Sequence, residues 1–354
     1  MSRRTATSIV VAAVLAGLLA LVAFVPVPYV ALSPGPTIDV LGKQHGSPIV
    51  RVDGHRSYRD TGDLRMVTIS VTGPDQSLNL YEALVAWVNG AETVLPRAAV
   101  YPPNESAQES QQTGTVEMVD SQDTAVAAAL TKLGYHLPVR VEVLAVTPGG
   151  PSDGTLRPHD RLLRVNGTRI TDVHQVSKAI QKTGVGAPAH FVVRRNGKTK
   201  HLAVTAKLDK SGPHPRAIVG ITVGNGYRFP FDVSVSIPPA IGGPSAGLMF
   251  SLAVYDTLTP GSLTGGRDVA GTGTITQQGR VGPIGGIQQK IVAAADDGAT
   301  LFLVPPGNCA EALHADVRPG QIRLVKAANM SSAISSLHRY AKNRSARLPS
   351  CAGS

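Results

Sequence analysis

Ser245 has the sequence surroundings that a nucleophile for acyl transfer requires, within the segment 241–247, IGGPSAG. An alternating, strand-like stretch precedes this segment, and an apolar stretch that predicts a helix follows it. Glycine and proline permit a tight turn here and let a substrate backbone approach closely. A serine at a helix start also meets free backbone N–H groups and the positive end of the helix dipole. Ser245 is therefore a candidate nucleophile, with a helix N-cap as the alternative role.

Lys290 is the candidate base that would activate such a serine, 45 residues further along the chain. It follows a glycine-rich turn on a predicted helix, where Ile287, Ile291 and Ala294 share its face. A free lysine, with a pKa of about 10.4, is a poor base at neutral pH. Burial among apolar side chains disfavours the ammonium form, and a pKa of roughly 7 to 8 would let the amine take a proton from serine. The alternative is a lysine whose amine extends to the surface.

The pattern around Ser245 also fits G-x-S-x-G, the nucleophile elbow of α/β-hydrolases. Asp296 or Asp297, followed by His314, would complete a triad in the chain order of that fold. The α/β-hydrolase fold requires a large parallel sheet with crossover helices before the serine. Short strands with turns precede Ser245 instead, so the sequence favours the pairing with Lys290.

The N-terminal residues predict a membrane anchor. Residues 8–24 are almost wholly apolar and carry no charge, which suits a membrane-spanning helix. Arg3 and Arg4 favour a cytoplasmic N-terminus at 1–7, an anchor at 8–28 and an extracytoplasmic remainder, in a single-pass protein of the plasma membrane. A cleaved signal peptide is the alternative, although no clear small-x-small cleavage site follows the apolar core.

Charge and cysteine content exclude some classes of partner. The net charge of +10 is spread along the chain, and its densest part is a basic tail at 341–354 that we expect to be solvated. Basic residues are not interleaved with aromatic ones, which argues against a nucleic-acid partner. Outside the cytoplasm, Cys309 and Cys351 could form a disulfide, the alternative being two unpaired thiols. The ten histidines and these cysteines show no metal-ligand spacing, so we expect neither a metal nor another cofactor.

The segment 121–208 has the pattern of a PDZ-like domain. It contains G-T-L at 154–156 and D-R-L-L-R-V-N-G at 160–167, followed by a predicted helix. This pattern resembles the core motif of PDZ domains, with His159 where bacterial members usually have glycine. The resemblance implies binding of an extended peptide, often by its C-terminal carboxylate. Residues 133–135, Leu-Gly-Tyr, resemble the carboxylate-binding loop, and three helix residues could line the groove or belong to the core: Val173, Val176 and Ile180.

The C-terminal residues 209–340 contain a longer and more specific pattern. G-P-S-A-G at 243–247 is followed by T-G-T-I at 272–275 and by G-R-V-G-P-I-G-G-I-Q-Q-K-I-V-A-A at 279–294. Together these motifs resemble the proteolytic domain of Lon, over about residues 218–306. With its anchor and its PDZ-like segment, the chain is similar to the membrane-anchored, PDZ-containing Lon-like proteases of bacteria, the YlbL type.

This resemblance implies a serine–lysine dyad, with Ser245 as nucleophile and Lys290 as general base. Thr272 matches a family threonine that hydrogen-bonds near the dyad, a plain strand threonine being the alternative. Backbone N–H groups at and beside Ser245 would hold the oxyanion. Gly242 departs from the family pattern, because Lon carries an acidic residue three positions before the serine.

The predicted fold is α+β: a transmembrane helix, an ectodomain segment at 29–120, a PDZ-like domain and a Lon-type domain. We expect strands near 49–71 to complete the sheet of the Lon-type domain, with the PDZ-like block inserted. Residues 197–199, Gly-Lys-Thr, look like the end of a P-loop but belong to a predicted hairpin, so no nucleotide is implied.

The predicted function is an ATP-independent serine endopeptidase that forms an acyl-enzyme on the extracytoplasmic side of the membrane. Its expected substrates are unfolded or flexible protein segments, which the PDZ-like domain would select. Resemblance to Lon also implies a homo-oligomer, with a hexamer as the expected form. A catalytically silent PDZ scaffold that keeps the protease fold is the alternative function.

Overall fold

The computed structural model describes residues 3–44, 46–58, 61–102, 106–138, 140–209, 215–238 and 240–352. Residues 1–2 of the predicted cytoplasmic segment and 353–354 of the tail lie outside the described residues. The helices are α1 (Arg3–Phe24), α2 (Leu80–Val88), α3 (Arg97–Val100), α4 (Ala107–Lys132), α5 (Val173–Gln181), α6 (Gly247–Leu258), α7 (Ile287–Asp296), α8 (Cys309–Ala312) and α9 (Met330–Lys342). A 3₁₀ turn at Pro306–Asn308 precedes α8.

The strands lie on both sides of a long helical region in the chain. In the first part they are β1 (Pro26–Val27), β2 (Tyr29–Asp39), β3 (Lys43–Gln44), β4 (Ser47–Pro48), β5 (Val50–Asp53), β6 (Asp63–Val71), β7 (Leu78–Asn79) and β8 (Thr93–Pro96). After α4 come β9 (Arg140–Val146), β10 (Arg161–Val165), β11 (Thr168–Arg169), β12 (Pro188–Arg195), β13 (Lys198–Thr205), β14 (Lys207–Asp209), β15 (Arg216–Ile218) and β16 (Ile221–Gly226). The last are β17 (Asp232–Val235), β18 (Asp268–Gly271), β19 (Thr274–Ile275), β20 (Val281–Gly282), β21 (Leu301–Val304) and β22 (Arg323–Lys326).

One six-stranded sheet, which we call the C-terminal sheet, has the order β22-β21-β18-β6-β2-β8. Strands β22, β21, β18 and β6 run parallel, while β2 and β8 continue the sheet in antiparallel orientation. β6 therefore lies inside the sheet, although α4, the PDZ-like segment and α6 separate it from β18 along the chain. Its residues Leu64 and Met66 are buried in the same core as α6. The segment 29–120 thus supplies three strands of this sheet.

α4 is longer than the sequence pattern predicts. The apolar run at 121–133 predicts a helix of that length, but α4 begins at Ala107 and has 26 residues. A capping box starts it: Glu109 donates its N–H to Ser106 Oγ, and the Ser106 N–H donates to the Glu109 carboxylate. Its buried residues Ala125 and Leu130 pack in the core that contains α6. α4 is therefore a core helix of the C-terminal part of the fold.

The second sheet, which we call the PDZ sheet, has the order β13-β12-β10-β9-β16, with β11 paired to β10. β16 forms one edge, although it lies beyond the predicted PDZ-like segment 121–208. His159 has a φ of 66°, which explains why glycine is favoured at this turn. Val176 and Ile180 of α5 are buried in the core of this sheet, and Val173 is partly buried against it.

Residues 133–135 do not form a carboxylate-binding loop. Gly134 has a φ of 93° and ends α4, where its N–H donates to the Thr131 carbonyl. The Tyr135 N–H donates to the Leu130 carbonyl, and the Tyr135 ring packs edge-on against Phe231. These N–H groups are occupied by the helix end, so they are not free for a ligand carboxylate.

α1 ends before the predicted limit of the anchor at residue 28. Val25 precedes Pro26, and the residue before a proline is biased towards extended backbone, so the chain leaves the helix at Phe24 and enters β1. Within the part of the chain that the structure describes, Thr7–Phe24 is the one helical stretch that is long and apolar enough to cross a membrane. None of this stretch is buried against the rest of the protein.

The C-terminal tail packs against β22 instead of extending freely into solvent. Arg323 donates to the backbone carbonyls of Arg344 and Ala346, at 2.7 and 2.6 Å. Cys351 forms a disulfide with Cys309, which lies at the start of α8, across a sequence separation of 42. Both cysteines are buried, so the bond closes the tail onto the core beneath α7.

We expect Cys351→Ala to lower the free energy of unfolding by about 2–4 kcal/mol, because the unfolded chain regains the entropy of the opened loop. Cys309→Ala should have the same effect, and the double variant should add nothing further. Thermal unfolding with and without a thiol reductant provides the measurement. Reductant should destabilise only the parent protein; equal melting temperatures of the parent in both conditions would contradict the bond.

Candidate active site

Ser245 lies on the loop between β17 and α6. β17 pairs with β5 in antiparallel register, which fixes the chain at the start of the loop. α6 begins at Gly247, with Ala246 as its N-cap residue and no side chain capping it. The alternative role of Ser245 as a helix N-cap is therefore wrong. Its hydroxyl is left for another partner.

Lys290 brings its amine to this hydroxyl from the first turn of α7. Gly286 is the N-cap residue of α7 and has a left-handed φ of 67°. The Lys290 side chain does not extend to the surface, because the residue is only 3% exposed. Its Nζ donates a hydrogen bond to Ser245 Oγ at 2.8 Å. Burial lowers the pKa of Lys290 to about 8, since desolvation penalises the ammonium form.

Thr272 joins the serine and the lysine from the end of β18. Its hydroxyl donates to the backbone carbonyl of Ser245 at 3.0 Å, and Lys290 Nζ lies 3.5 Å from the same Oγ1. The next residue, Gly273, donates its N–H to the Ser245 carbonyl at 2.8 Å. Two donors thus fix the peptide plane that follows Ser245. Thr272 is buried and directly follows β18, so it is not a plain strand threonine: its hydroxyl contacts both the Ser245 carbonyl and the Lys290 amine.

Backbone N–H groups beside Ser245 are available for an anionic ligand. Among the residues that the structure describes, no acceptor is found for the N–H of Ser245 or for that of Ala246. Both groups precede α6, where the helix dipole favours negative charge. This combination can stabilise an oxyanion that forms next to the serine hydroxyl.

α4 holds the loop that carries Ser245. The Gly114 carbonyl of α4 accepts the Gly243 N–H at 2.9 Å. Further along the same helix, Ser121 Oγ donates a hydrogen bond to the Pro244 carbonyl at 3.1 Å. Gly242 packs directly on Gly114, because a Cβ added at Gly242 would lie 2.9 Å from the Gly114 backbone. Backbone contact with α4 therefore fixes the loop at the position where the Lon pattern predicts an acidic side chain.

The hydrolase triad is not assembled in this fold. Asp296 and His314 are exposed, and among the described residues no hydrogen bond links His314 to Ser245 or to either aspartate. Asp297 instead accepts a hydrogen bond from Arg65 at 2.8 Å. The serine hydroxyl has the lysine amine as its partner, so the histidine alternative is wrong.

The segment that looks like the end of a P-loop is a hairpin turn. Asn196 and Gly197 have φ angles of 50° and 77°, and they connect β12 to β13. A P-loop would lead into a helix, whereas Lys198 begins a strand. Within the described ranges, no group of three or more His, Cys, Asp or Glu side chains is arranged to hold a metal ion.

The C-terminal half of the chain is similar to Lon. A family model of the Lon protease (S16) C-terminal proteolytic domain matches residues 231–335. Lon protease 2 of Herpetosiphon aurantiacus is 42% identical over 88 residues, which are 24% of this chain and 11% of that protein. Lon protease 1 of Thermus thermophilus is 36% identical over 89 residues, again 24% of this chain and 11% of the relative. The chain thus spans about a tenth of the length of these curated relatives.

The middle of the chain is similar to PDZ domains. A PDZ family model matches residues 114–206. The PDZ domain of an SdrC-like protein from Listeria innocua is 21% identical and covers 24% of this chain and 92% of that structure, with a TM-score of 0.22. The corresponding domain from Listeria monocytogenes is 20% identical and covers 24% of this chain and 86% of that structure, also with a TM-score of 0.22. The chain therefore combines a PDZ domain with a Lon-type proteolytic domain and is a PDZ-containing, Lon-like protein.

Proposed function

We propose that this protein is an ATP-independent serine endopeptidase that uses Ser245 as nucleophile and Lys290 as general base. The observation that carries the proposal is the 2.8 Å contact between Lys290 Nζ and Ser245 Oγ inside a buried site. With a pKa of about 8, the lysine is neutral in a useful fraction of molecules near neutral pH. A solvent-exposed lysine would remain almost fully protonated there.

The chemistry follows from the positions of these groups. Neutral Lys290 accepts the hydroxyl proton of Ser245, and Oγ attacks the carbonyl carbon of the scissile peptide bond. The N–H groups of Ser245 and Ala246 stabilise the oxyanion. The lysine ammonium then gives its proton to the amine as the scissile C–N bond breaks. The acyl group remains bound to Ser245 Oγ as an acyl-enzyme. Thr272 holds the Lys290 amine and the Ser245 carbonyl in fixed positions relative to each other. A water molecule activated by Lys290 then hydrolyses the acyl-enzyme.

Two features support action outside the cytoplasm. The disulfide between Cys309 and Cys351 belongs to oxidising compartments, and α1 has the length and composition of an anchor. The Gly197 hairpin gives no support for a nucleotide site. An ATP-independent protease would act on unfolded or flexible segments.

The edge of the PDZ sheet at β16 supports selection of peptides by the PDZ domain. β16 pairs with β9 on one side and ends the sheet on the other. α5 contacts β16, and it is also fixed to the preceding strand β15, where Gln181 exchanges two hydrogen bonds with the backbone of Ala217. An open strand edge next to a helix is the geometry that accepts a peptide as an added strand. If the PDZ domain binds the C-terminal carboxylate of a peptide, amidation of that terminus should weaken binding. Unchanged binding of the amidated peptide would argue against recognition of the carboxylate.

We expect the variants Ser245→Ala and Lys290→Ala each to lower cleavage of an unfolded protein by about 1,000-fold or more, because each removes one half of a unit that acts together. Lys290→Arg should be equally impaired, since arginine keeps the charge but cannot act as a base at these pH values. The full chain is assayed in detergent by the appearance of peptide fragments. A serine-directed phosphonylating probe should label the parent protein on Ser245.

Ser335→Ala, which changes an exposed serine on α9, is the matched control and should cleave normally. Equal cleavage by the parent and by both dyad variants would exclude the dyad. Absence of cleavage and labelling in the parent would favour the alternative, a silent PDZ scaffold.

The pH dependence of cleavage provides a separate prediction. The active form requires neutral Lys290, so kcat/KM should rise about tenfold per pH unit well below the lysine pKa. It should level off above about 8, the pKa that burial gives this residue. Rates of cleavage of a substrate without ionisable groups between pH 6 and 9 provide the test. A profile that is flat over this range would contradict a lysine base.

The contact between Gly114 and Gly242 predicts that two similar substitutions differ in their effect on activity. Gly242→Ala places a Cβ 2.9 Å from the Gly114 backbone, so the serine loop must shift. We expect kcat to fall about 10- to 100-fold, because small displacements of reacting groups have effects of this size. Gly114→Ala places its Cβ 3.4 Å from Gly242, an ordinary contact, and should preserve activity while stabilising α4 by about 1 kcal/mol. Comparable activity of the two variants would exclude this role of the contact.

A further inference from the structure

α2 has an inverted distribution of side chains. Its small residues Ala83 and Ala86 face the protein and are buried. All of its large apolar residues except the partly buried Leu80 face outward and are 46–78% exposed: Tyr81, Leu84, Val85, Trp87 and Val88. A surface helix in water normally turns its largest apolar residues towards the core. The outer face of α2 therefore has the chemistry of a surface that contacts something other than water.

The position of α2 relative to α1 indicates what covers this face. β1 follows α1 and pairs with β7, which precedes α2, so that Pro26 lies opposite Asn79. Opposed Cα atoms in such a pair are about 5 Å apart. α2 therefore begins beside the point where α1 ends, and the two helices are in contact. Phe24 and Val25 at this junction are also exposed, so the apolar surface of α1 continues onto α2.

The length of α1 sets the height of this junction in a bilayer. The 18 residues of Thr7–Phe24 rise about 27 Å, close to the thickness of the hydrocarbon core of about 30 Å. Phe24 and the start of α2 would then lie at the outer boundary between lipid tails and headgroups. Tyr81 and Trp87 suit this depth, because their rings have an apolar body and one polar group. Glu82, the one charged residue of α2, is engaged in the capping box with Asn79.

We propose that α2 is an interfacial helix whose outer face enters the boundary region of the lipid bilayer beside α1. The inference rests on the proposed anchor role of α1 and extends it, since the ectodomain would be attached to the membrane at two adjacent points. The partner is the lipid surface, because the apolar face borders the membrane-spanning helix directly. A second copy of the chain on this face is an outcome that the experiment can detect.

Attachment through α2 would also restrict the catalytic helix. β8 follows α2 after a short turn, and Thr93 at its start accepts a hydrogen bond from Gln289 at 2.8 Å. Gln289 precedes Lys290 on α7. The path of contacts from α2 to Lys290 is therefore short: it runs through β8 and its hydrogen bond to Gln289 on α7. The catalytic centre would be held at a fixed height and orientation above the bilayer.

Trp87 provides the test because it is the single tryptophan of the chain. The full chain is reconstituted in phosphatidylcholine vesicles, and its fluorescence is compared with and without lipids brominated close to the headgroups. Docking predicts a blue-shifted emission, quenching by the bromolipids of about twofold or more, and protection from iodide in the water. Flotation of the vesicles on a density gradient reports the anchor independently.

A pair of equally exposed valines provides matched variants. Val85→Glu places a charge on the face of α2, where Val85 is 50% exposed, and should abolish most of the bromolipid quenching. Val185→Glu places the same charge at a 53% exposed valine of the PDZ domain and should leave the quenching unchanged. Melting temperatures of both variants in detergent verify that they are folded.

Each other outcome has a distinct meaning. Vesicles that float with the protein while Trp87 remains open to iodide would overturn the docking of α2 and leave the anchor intact. Trp87 shielded from both iodide and bromolipids would show that another protein surface covers α2, which also overturns the proposal. Failure of the protein to float would overturn the anchor and the docking together.

Discussion

The burial of the Lys290 amine beside Ser245 is the interaction on which the rest of the C-terminal domain depends. Moving an ammonium group out of water costs several kcal/mol, so the fold must either overcome this cost or keep the amine neutral. Ile287 and Ile291 pack α7 into a core with residues of β18 and β21. The packing that stabilises α7 is also what withdraws Lys290 from water. The stability of this core and the lowered pKa of Lys290 therefore have a common cause.

The order of the elements along the chain makes the site dependent on both flanks of the PDZ domain. β6 and α4 precede the strands of the PDZ sheet, whereas the serine loop and α7 follow them. β6 pairs with β18, the strand that ends next to Thr272, so residues after the PDZ domain cannot complete the sheet alone. α4 also contacts β9 and β16 of the PDZ sheet. One helix thus touches the PDZ sheet and, through Gly114 and Ser121, the serine loop.

The sequence predicts those parts of the site that have a strong local signal. Ser245 and Lys290 stand in glycine-rich motifs at a definite spacing, and the structure brings Lys290 Nζ to Ser245 Oγ. Gly114 and Ser121 have no such motif, and the predicted helix begins only at Ser121, so Gly114 lies outside it; in α4 the two residues lie about two helical turns apart on one face. Their role depends on which loop packs on that face, and this is a tertiary property. The start of α4 had a readable signal, the capping box of Ser106 and Glu109, but it lies in a polar stretch that resembles a loop.

Other parts of the fold could not be inferred because long-range pairing decides them. The PDZ motif predicts strands and a helix, but nothing local indicates that β16 joins the sheet from beyond residue 208. The pattern Leu-Gly-Tyr at 133–135 has the composition of a carboxylate-binding loop and also that of a helix end. The helix end is stabilised by its own hydrogen bonds and by packing of the partly buried Tyr135 ring against Phe231. Composition alone does not distinguish these two uses of a glycine with positive φ.

The close approach of Gly242 to Gly114 shows how the serine loop keeps its shape without the acidic residue of the Lon pattern. A carboxylate would hold a loop through charge, which salt screens at exposed positions. Here α4 holds the loop by the backbone hydrogen bond from Gly243 to Gly114, by the Ser121 hydroxyl on the Pro244 carbonyl, and by contact between two residues without side chains. A glycine inside a helix costs about 1 kcal/mol relative to alanine. Gly114 therefore lowers the helix propensity of α4, but its lack of a side chain lets the backbone of the Ser245 loop pack directly on the helix.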